Sequence, residues 1–239
     1  MIKIESFASG SSGNLYKIND GVTSLLIEVG LPIQKIKEKL EFRLSEITGC
    51  LISHEHGDHA KSVEDVISSG IDCYMSLGTA EALEVENHHR IHQIKANELV
   101  VIGSMVVKPF DVQHDANEPL GFLIVSRKTG EKLVYITDSF YSQFTFNKPD
   151  YLMVECNYSE DILERNVESG KVHPALAARL QKSHFSLKNV KDFLKANDLS
   201  KVNEIHLLHL SNRNSNANLF KKEIQELTGK LVYVAGGDD

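Results

Sequence analysis

The chain has 239 residues, 41% of them hydrophobic and 25% charged, and a formal net charge of −7 with its histidines neutral. That length fits one large domain or two small ones, with a core sizeable enough to need no staples. The acidic balance argues against an extended basic groove for duplex DNA. No apolar run reaches the roughly eighteen residues of a membrane helix, and the scattered Cys50, Cys73 and Cys156 support neither a disulfide framework nor a zinc finger.

Residues 2–8 read as a strand and lack the basic head and apolar stretch of a signal peptide, so a cytoplasmic protein is expected. A second strand is predicted at 23–29. Between them Ser9-Gly10-Ser11-Ser12-Gly13-Asn14 is a turn-rich loop. Residues 31–40 predict a helix, with Pro32 in the first turn and Ile33, Ile36 and Leu40 at helical spacing. The apolar 49–53 is a short buried strand. A helix at 62–69, a strand at 71–75 and a short helix at 78–84 follow. Then comes a β-rich, antiparallel-looking block with strands at 99–102, 105–110 and 121–125, continued at 132–136 and 151–154. The last third predicts helices at 174–181, 187–196 (capped by Ser186) and 218–227, with strands at 204–208 and 231–234. No repeat or linker interrupts this order, so a single domain over 1–239 is expected. Alternating strands and helices suit an α/β sandwich, with sheets inside and helices on the outer faces.

One segment stands apart. His54-Glu55-His56-Gly57-Asp58-His59 directly follows the strand at 49–53, and strand-end loops are where scaffolds present chemistry. His54 and His56 project to one side of an extended chain, and Asp58 and His59 lie one turn further on. The zincin pattern is absent, because Asp58 stands where its second His belongs. Four ligand-type side chains so close together reach two metal ions. A binuclear site needs further donors, and later strand ends supply them: His114, Asp138 and His209 each follow an apolar β segment. Alone, His114 or His209 would read as a structural histidine; beside the first cluster both read as ligands.

This order of residues resembles the metallo-β-lactamase fold superfamily. The resemblance implies an αβ/βα four-layer sandwich. It implies that His54, His56 and His114 hold one metal, that Asp58, His59 and His209 hold the second, and that Asp138 bridges them. The opening loop at 9–14 resembles the YycJ/WalJ-like branch, as do Asp138-Ser139, Glu155-Cys156-Asn157, Ser183-His184-Phe185-Ser186 and the segment 208–212. Members of that branch are cytoplasmic, with DNA exonuclease activity implied. The inserted domain of the larger RNA-processing relatives and the long arm of the tRNA-processing relatives are missing from the sequence.

Two metals clamp the attacking and leaving oxygens of a phosphoryl displacement and acidify a water between them. A phosphodiesterase or nuclease using a metal-bridging hydroxide is therefore expected, with Asp58 and Asp138 in the catalytic set. The metals expected are Zn²⁺ or Mn²⁺, with Fe admitted. His184 is expected as a non-ligand general acid, against a helix-capping role. Ser11, Ser12 and Asn14 are expected to meet substrate through a loop whose Gly10 and Gly13 allow backbone amides to cradle a phosphate; a plain hairpin turn is the competing account. Asn157 is a further candidate substrate contact, and Arg213 to Asn216 a candidate contact for a nucleic-acid backbone. His88, His89 and His92 read as a surface loop without carboxylate partners, and His173 and His206 as structural or exposed. The partner expected is nucleic acid or another phosphodiester. A hydrolase of cyclic phosphodiesters or glyoxalase II-type thioesters, and a non-catalytic metal-binding module, are the alternatives. Oligomeric state is not legible.

Overall fold

The computed structural model describes residues 1–236. Their backbone forms two compact units, Met1–Asp111 with Ala116–Glu131, and Val112–Asp115 with the chain from Lys132 onward.

In the first unit six strands form one sheet in chain order: β1 (Lys3–Ala8), β2 (Leu15–Asn19), β3 (Ser24–Ile27), β4 (Gly49–Leu51), β5 (Cys73–Met75) and β6 (Ile91–Gln93). β1, β2 and β3 are antiparallel, and β3 to β6 run parallel. Parallel neighbours need crossovers. Here these are α1 (Ile33–Lys39) between β3 and β4, α2 (Gly57–Ala60) and α3 (Val63–Ser68) between β4 and β5, and α4 (Leu77–Ala82) between β5 and β6. Leu26, Ile36, Cys50, Ile52, Val66 and Met75 are part of one buried apolar cluster. β7 (Val100–Ile102), β8 (Met105–Asp111) and β9 (Leu120–Ser126) pair antiparallel, as the β-rich sequence block predicts.

In the second unit β10 (Lys132–Ile136), β11 (Tyr151–Glu155), β12 (Glu204–Leu208) and β13 (Leu231–Val234) pair in parallel, in that order. β11 is buried along its whole length, as a parallel strand covered on both faces must be. The helices are α5 (Glu160–Glu168), α6 (Pro174–Ser183), α7 (Leu187–Ala196) and α8 (Ala217–Thr228). Each end has a local cause. Pro174 opens α6. Ser186 Oγ accepts from Asn189 N at 3.1 Å to cap α7, and Gly229, with φ of 66°, closes α8. No helix among the described residues is long and apolar enough to cross a membrane.

Three elements escape the sequence pattern. β2 is a short strand directly behind the turn-rich loop. β6, Ile-His-Gln, is too short for any period. α5 buries only Leu163 completely, so it has no broad apolar stripe. His92 therefore lies on β6 and not in a loop, stacked on Tyr74 at 4.7 Å with Nε2 3.5 Å from Asp72 Oδ2. The expectation of no strand and no carboxylate partner there is corrected.

The histidine run is locked to the neighbouring backbone. Asn14 N donates to Asp58 O at 2.8 Å, Val29 N to His59 O at 2.7 Å, and Gly30 N to Asn14 O at 3.0 Å. A Cβ on Gly30 would lie 1.7 Å from Asp58 O, which no backbone tolerates. Gly30→Ala should cost about 3 kcal/mol or more in thermal or denaturant unfolding, at or above the usual range for overpacking. Gly57→Ala, whose Cβ would meet nothing within 4 Å, should leave stability unchanged or slightly raised.

Candidate metal centre

In the first unit β4 delivers the chain into Ser53 and His54, and α2 starts at Gly57. Extended backbone followed at once by a helical turn brings the four donors of the run together. His54 Nε2 is 3.1 Å from His56 Nδ1, the His59 ring lies 4.2 Å from that of His54, and Asp58 Oδ2 is 3.4 Å from His59 Nε2. His54 and His59 are buried.

Two residues orient His59. Glu28 is fully buried with φ of 63°, accepts from Ser53 N at 3.4 Å, and places Oε2 3.6 Å from His59 Nδ1. That carboxylate favours the proton on Nδ1 and leaves Nε2 its lone pair, as a metal-binding imidazole requires. On the other side Asn14 Nδ2 is 3.1 Å from His59 Nε2 and donates to Asp58 O at 3.0 Å, while Asn14 Oδ1 accepts from Gly10 N. The Asn14 amide thus ties the 9–14 loop to the histidine run. Ser11 and Ser12 are exposed on that loop, and Gly10 and Gly13 have φ of 136° and 142°. Sequence reasoning missed Glu28. Its signal is a carboxylate inside the apolar stretch Leu25-Leu26-Ile27-Glu28-Val29.

In the second unit the donors gather at the carboxyl ends of parallel strands, the usual place for ligands in such sheets. Asp138 follows β10, Glu155 ends β11, His209 follows β12, and His184 follows α6. Asp138, Glu155, His184 and His209 each offer one ligand atom within 4.8 Å of the others. His209 Nδ1 is 2.6 Å from Asp138 Oδ1, and His184 Nδ1 is 2.6 Å from Glu155 Oε1. Asp138 and His209 are non-glycine residues in left-handed backbone, with φ of 42° and 51°. Such strain concentrates at functional positions. Asn157 Nδ2 donates to His209 O at 2.9 Å and holds that turn; its buried Oδ1 has no hydrogen-bond partner among the described residues.

Glu155 is fully buried. Its Oε2 accepts from Ser139 N at 3.0 Å and Phe185 N at 3.2 Å, which aims Oε1 at His184. The sequence marks it only as part of the Glu155-Cys156-Asn157 segment; its burial at a strand end makes it part of the cluster. Burial works against a charge on His184, but Glu155, with Asp138 and Asp115 beyond it, prevails and pushes its pKa up to about 9.

His114 has the opposite character. Its Nδ1 donates to Ser183 O at 3.0 Å, so Nε2 carries the lone pair, 3.5 Å from Asp138 Oδ2. Burial pushes its pKa down, against the pull of Asp138 and Glu155. A neutral imidazole whose lone pair faces a buried carboxylate is unfavourable alone and suited to a cation between them. The donors fit a divalent ion: imidazole and carboxylate, with no thiol. Of the other histidines, His173 Nδ1 accepts from Ala175 N at the start of α6, and His206 is buried 3.0 Å from Glu204.

The model of the beta-lactamase superfamily domain matches residues 24–207. The chain belongs to this superfamily. It is 25% identical over 228 residues to the exodeoxyribonuclease WalJ of Streptococcus pneumoniae, covering 89% of this chain and 83% of that protein. It is 29% identical over 147 residues to the exodeoxyribonuclease YycJ of Bacillus anthracis, covering 56% and 53%. Among solved structures, the metallo-β-lactamase fold protein YhfI of Bacillus subtilis superposes with a TM-score of 0.76 at 16% identity, covering 99% of this chain and 98% of that one. The superfamily member is therefore WalJ/YycJ-like and has the mixed α/β metallo-β-lactamase fold that the sequence implies, with a His/Asp cluster suited to divalent metal.

Glu28→Gln removes the buried negative charge that faces His59 Nδ1 at 3.6 Å. It should weaken metal affinity about 10- to 100-fold in equilibrium metal titrations, with the circular dichroism spectrum unchanged. A second expectation concerns the chelator-treated protein. Because folding raises the pKa of His184, its stabilising effect is complete below its unfolded value near 6.5 and is lost as pH rises through about 9. Unfolding free energy measured in EDTA should fall by about 2–4 kcal/mol across that window, and His184→Gln should abolish that fall.

Proposed function

We propose that this chain is a cytoplasmic, binuclear metal-dependent phosphodiesterase acting on nucleic acid, a DNA exonuclease as its WalJ and YycJ relatives are named, working as one domain over residues 1–239. The observation that carries the reading is the pairing of buried Glu155 with half-buried His184 beside Asp138 and His209. It places an imidazole whose Nδ1 is held by a carboxylate among metal-type donors, a combination suited to phosphoryl transfer. We assign His54, His56 and His114 to one ion, Asp58, His59 and His209 to the other, and Asp138 to both, with Zn²⁺ or Mn²⁺ as the metal. When bound, such an ion pair polarises the phosphoryl group and acidifies the attacking water.

The chain's own residues do the rest. Glu155 accepts from His184 Nδ1 and holds the ring protonated, which leaves Nε2–H for the departing oxygen. Asp138 and Asp58 would hold the cations and balance their charge. Asn157 acts through its hold on the His209 carbonyl. Asn14 acts through its hold on the 9–14 loop, whose exposed Ser11 and Ser12 meet the phosphate.

Chelation should abolish the release of nucleotides from DNA, and Mn²⁺ or Zn²⁺ should restore it. His184→Ala should lower kcat by about 10²–10⁴ while metal content stays constant. An inert protein with either metal on every nucleic acid offered would overturn the reading. The net charge of −7 favours a small phosphodiester as the second reading. Turnover of bis-p-nitrophenyl phosphate with no action on DNA or RNA would select it, and turnover of thioesters would point to acyl chemistry instead.

A further inference from the structure

Several cations of this acidic chain sit beside carboxylates, as in Lys17–Glu5, Arg90–Asp72, Arg179–Asp115 and Lys188–Asp192. Among those of the second unit that form no such pair, three lie against the same pockets. Arg165 on α5 gives its Nε to its own helix at Asp161 O, and Lys171 and Arg213 form no ion pair among the described residues. All three are exposed, and they line two adjoining pockets of about 390 and 490 Å³ that share Asn166 and Lys171. Among the described residues no acidic side chain lines either pocket; the remaining lining is Ser, Asn and one Ile.

The loop that carries Arg213 is fixed in place. Asn166 Nδ2 donates to Arg213 O and to Asn214 Oδ1, both at 2.9 Å. Ser159 N donates to Asn214 O at 3.0 Å, and Ser215 Oγ to Ser211 O at 2.6 Å. The Asn166 carbonyl meanwhile accepts from Lys171 N and Val172 N, so one residue positions both cation-bearing segments. This is a pre-formed concentration of positive charge on a chain with an excess of negative charge. It sits close to the chemistry along the chain: Arg213 is four residues after His209, so their Cα atoms lie within about 14 Å.

We infer that Arg165, Lys171 and Arg213 form a track for the sugar–phosphate backbone of a single-stranded nucleic acid, holding the phosphates next to the one cleaved. The inference rests on the nuclease reading above. Three cations with hydroxyl and amide neighbours match successive phosphodiesters. The absence of aromatic side chains among the described residues lining both pockets fits recognition of backbone and not of stacked bases. The short stretch suits a strand end and not the long contact of a duplex groove.

The test measures binding of a phosphorothioate single-stranded DNA oligonucleotide to the metal-loaded full chain at several salt concentrations. Alongside it runs turnover of bis-p-nitrophenyl phosphate, which is too small to reach the track. Replacing all three cations by Gln should flatten the log–log salt slope by about 2 and raise Kd roughly 10- to 50-fold at physiological salt. Lys171→Gln alone, an exposed change outside any helix, should flatten the slope by about 0.7. Turnover of the small ester should stay within twofold in both variants. An unchanged slope in the folded triple variant overturns the track and leaves the nuclease reading intact. Equal competition by poly-glutamate of matched charge overturns the assignment to nucleic acid. A changed slope in a protein that cleaves no nucleic acid supports the track and sinks the nuclease reading.

Discussion

Two buried carboxylates, Asp138 and Glu155, end up at one edge of a parallel sheet because β10 and β11 are neighbours and both stop there. Like charges so placed repel strongly in a medium of low dielectric constant. Much of the second unit's local structure answers that repulsion. The amides of Ser139 and Phe185 donate to Glu155, Thr137 Oγ1 donates to Asp138 at 2.9 Å, and the imidazoles of His184 and His209 face the pair. A cation completes the same balance, so the arrangement that makes the apo site tolerable also makes it a metal site.

The backbone is shaped to the same end. Glu28, Asp138 and His209 leave their strands in left-handed conformation, a turn that non-glycine residues take only under constraint. In each case the constraint is visible: Glu28 N donates to Leu51 O, Ser139 N is held by Glu155, and the His209 carbonyl by Asn157. The strand then turns sharply at that residue. Rigid strands with strained exits hold donors to the tolerance a metal demands.

Much of this was legible in the sequence, and the gaps have physical reasons. The histidine run was conspicuous because four donors follow one apolar strand. His114, Asp138 and His209 shared that grammar of apolar segment and then ligand. Strands with long apolar runs, such as β11 and β12, were legible from composition alone. β2 and β6 were not, since five and three residues carry too little period, and α5 offers a narrow apolar face. Glu28 and Glu155 were the harder loss. A carboxylate inside a strand reads as an exposed alternation, and only burial with donors around it reveals a residue that orients histidines. The track of Arg165, Lys171 and Arg213 depends on contacts between segments far apart in sequence, so only its last member drew notice.

The three cysteines have a consequence of their own. Cys50, Cys73 and Cys156 are fully buried, and burial raises the pKa of Cys50 and Cys156 well above the ordinary thiol value. The sulfurs of Cys50 and Cys156 are held protonated, and all three side chains are shielded from solvent oxidants. The donors at the strand ends are all nitrogen and oxygen. Copper(I) and other soft ions, which seek sulfur, therefore find no preferred seat there, and oxidation of a thiol would not remove a donor from the cluster.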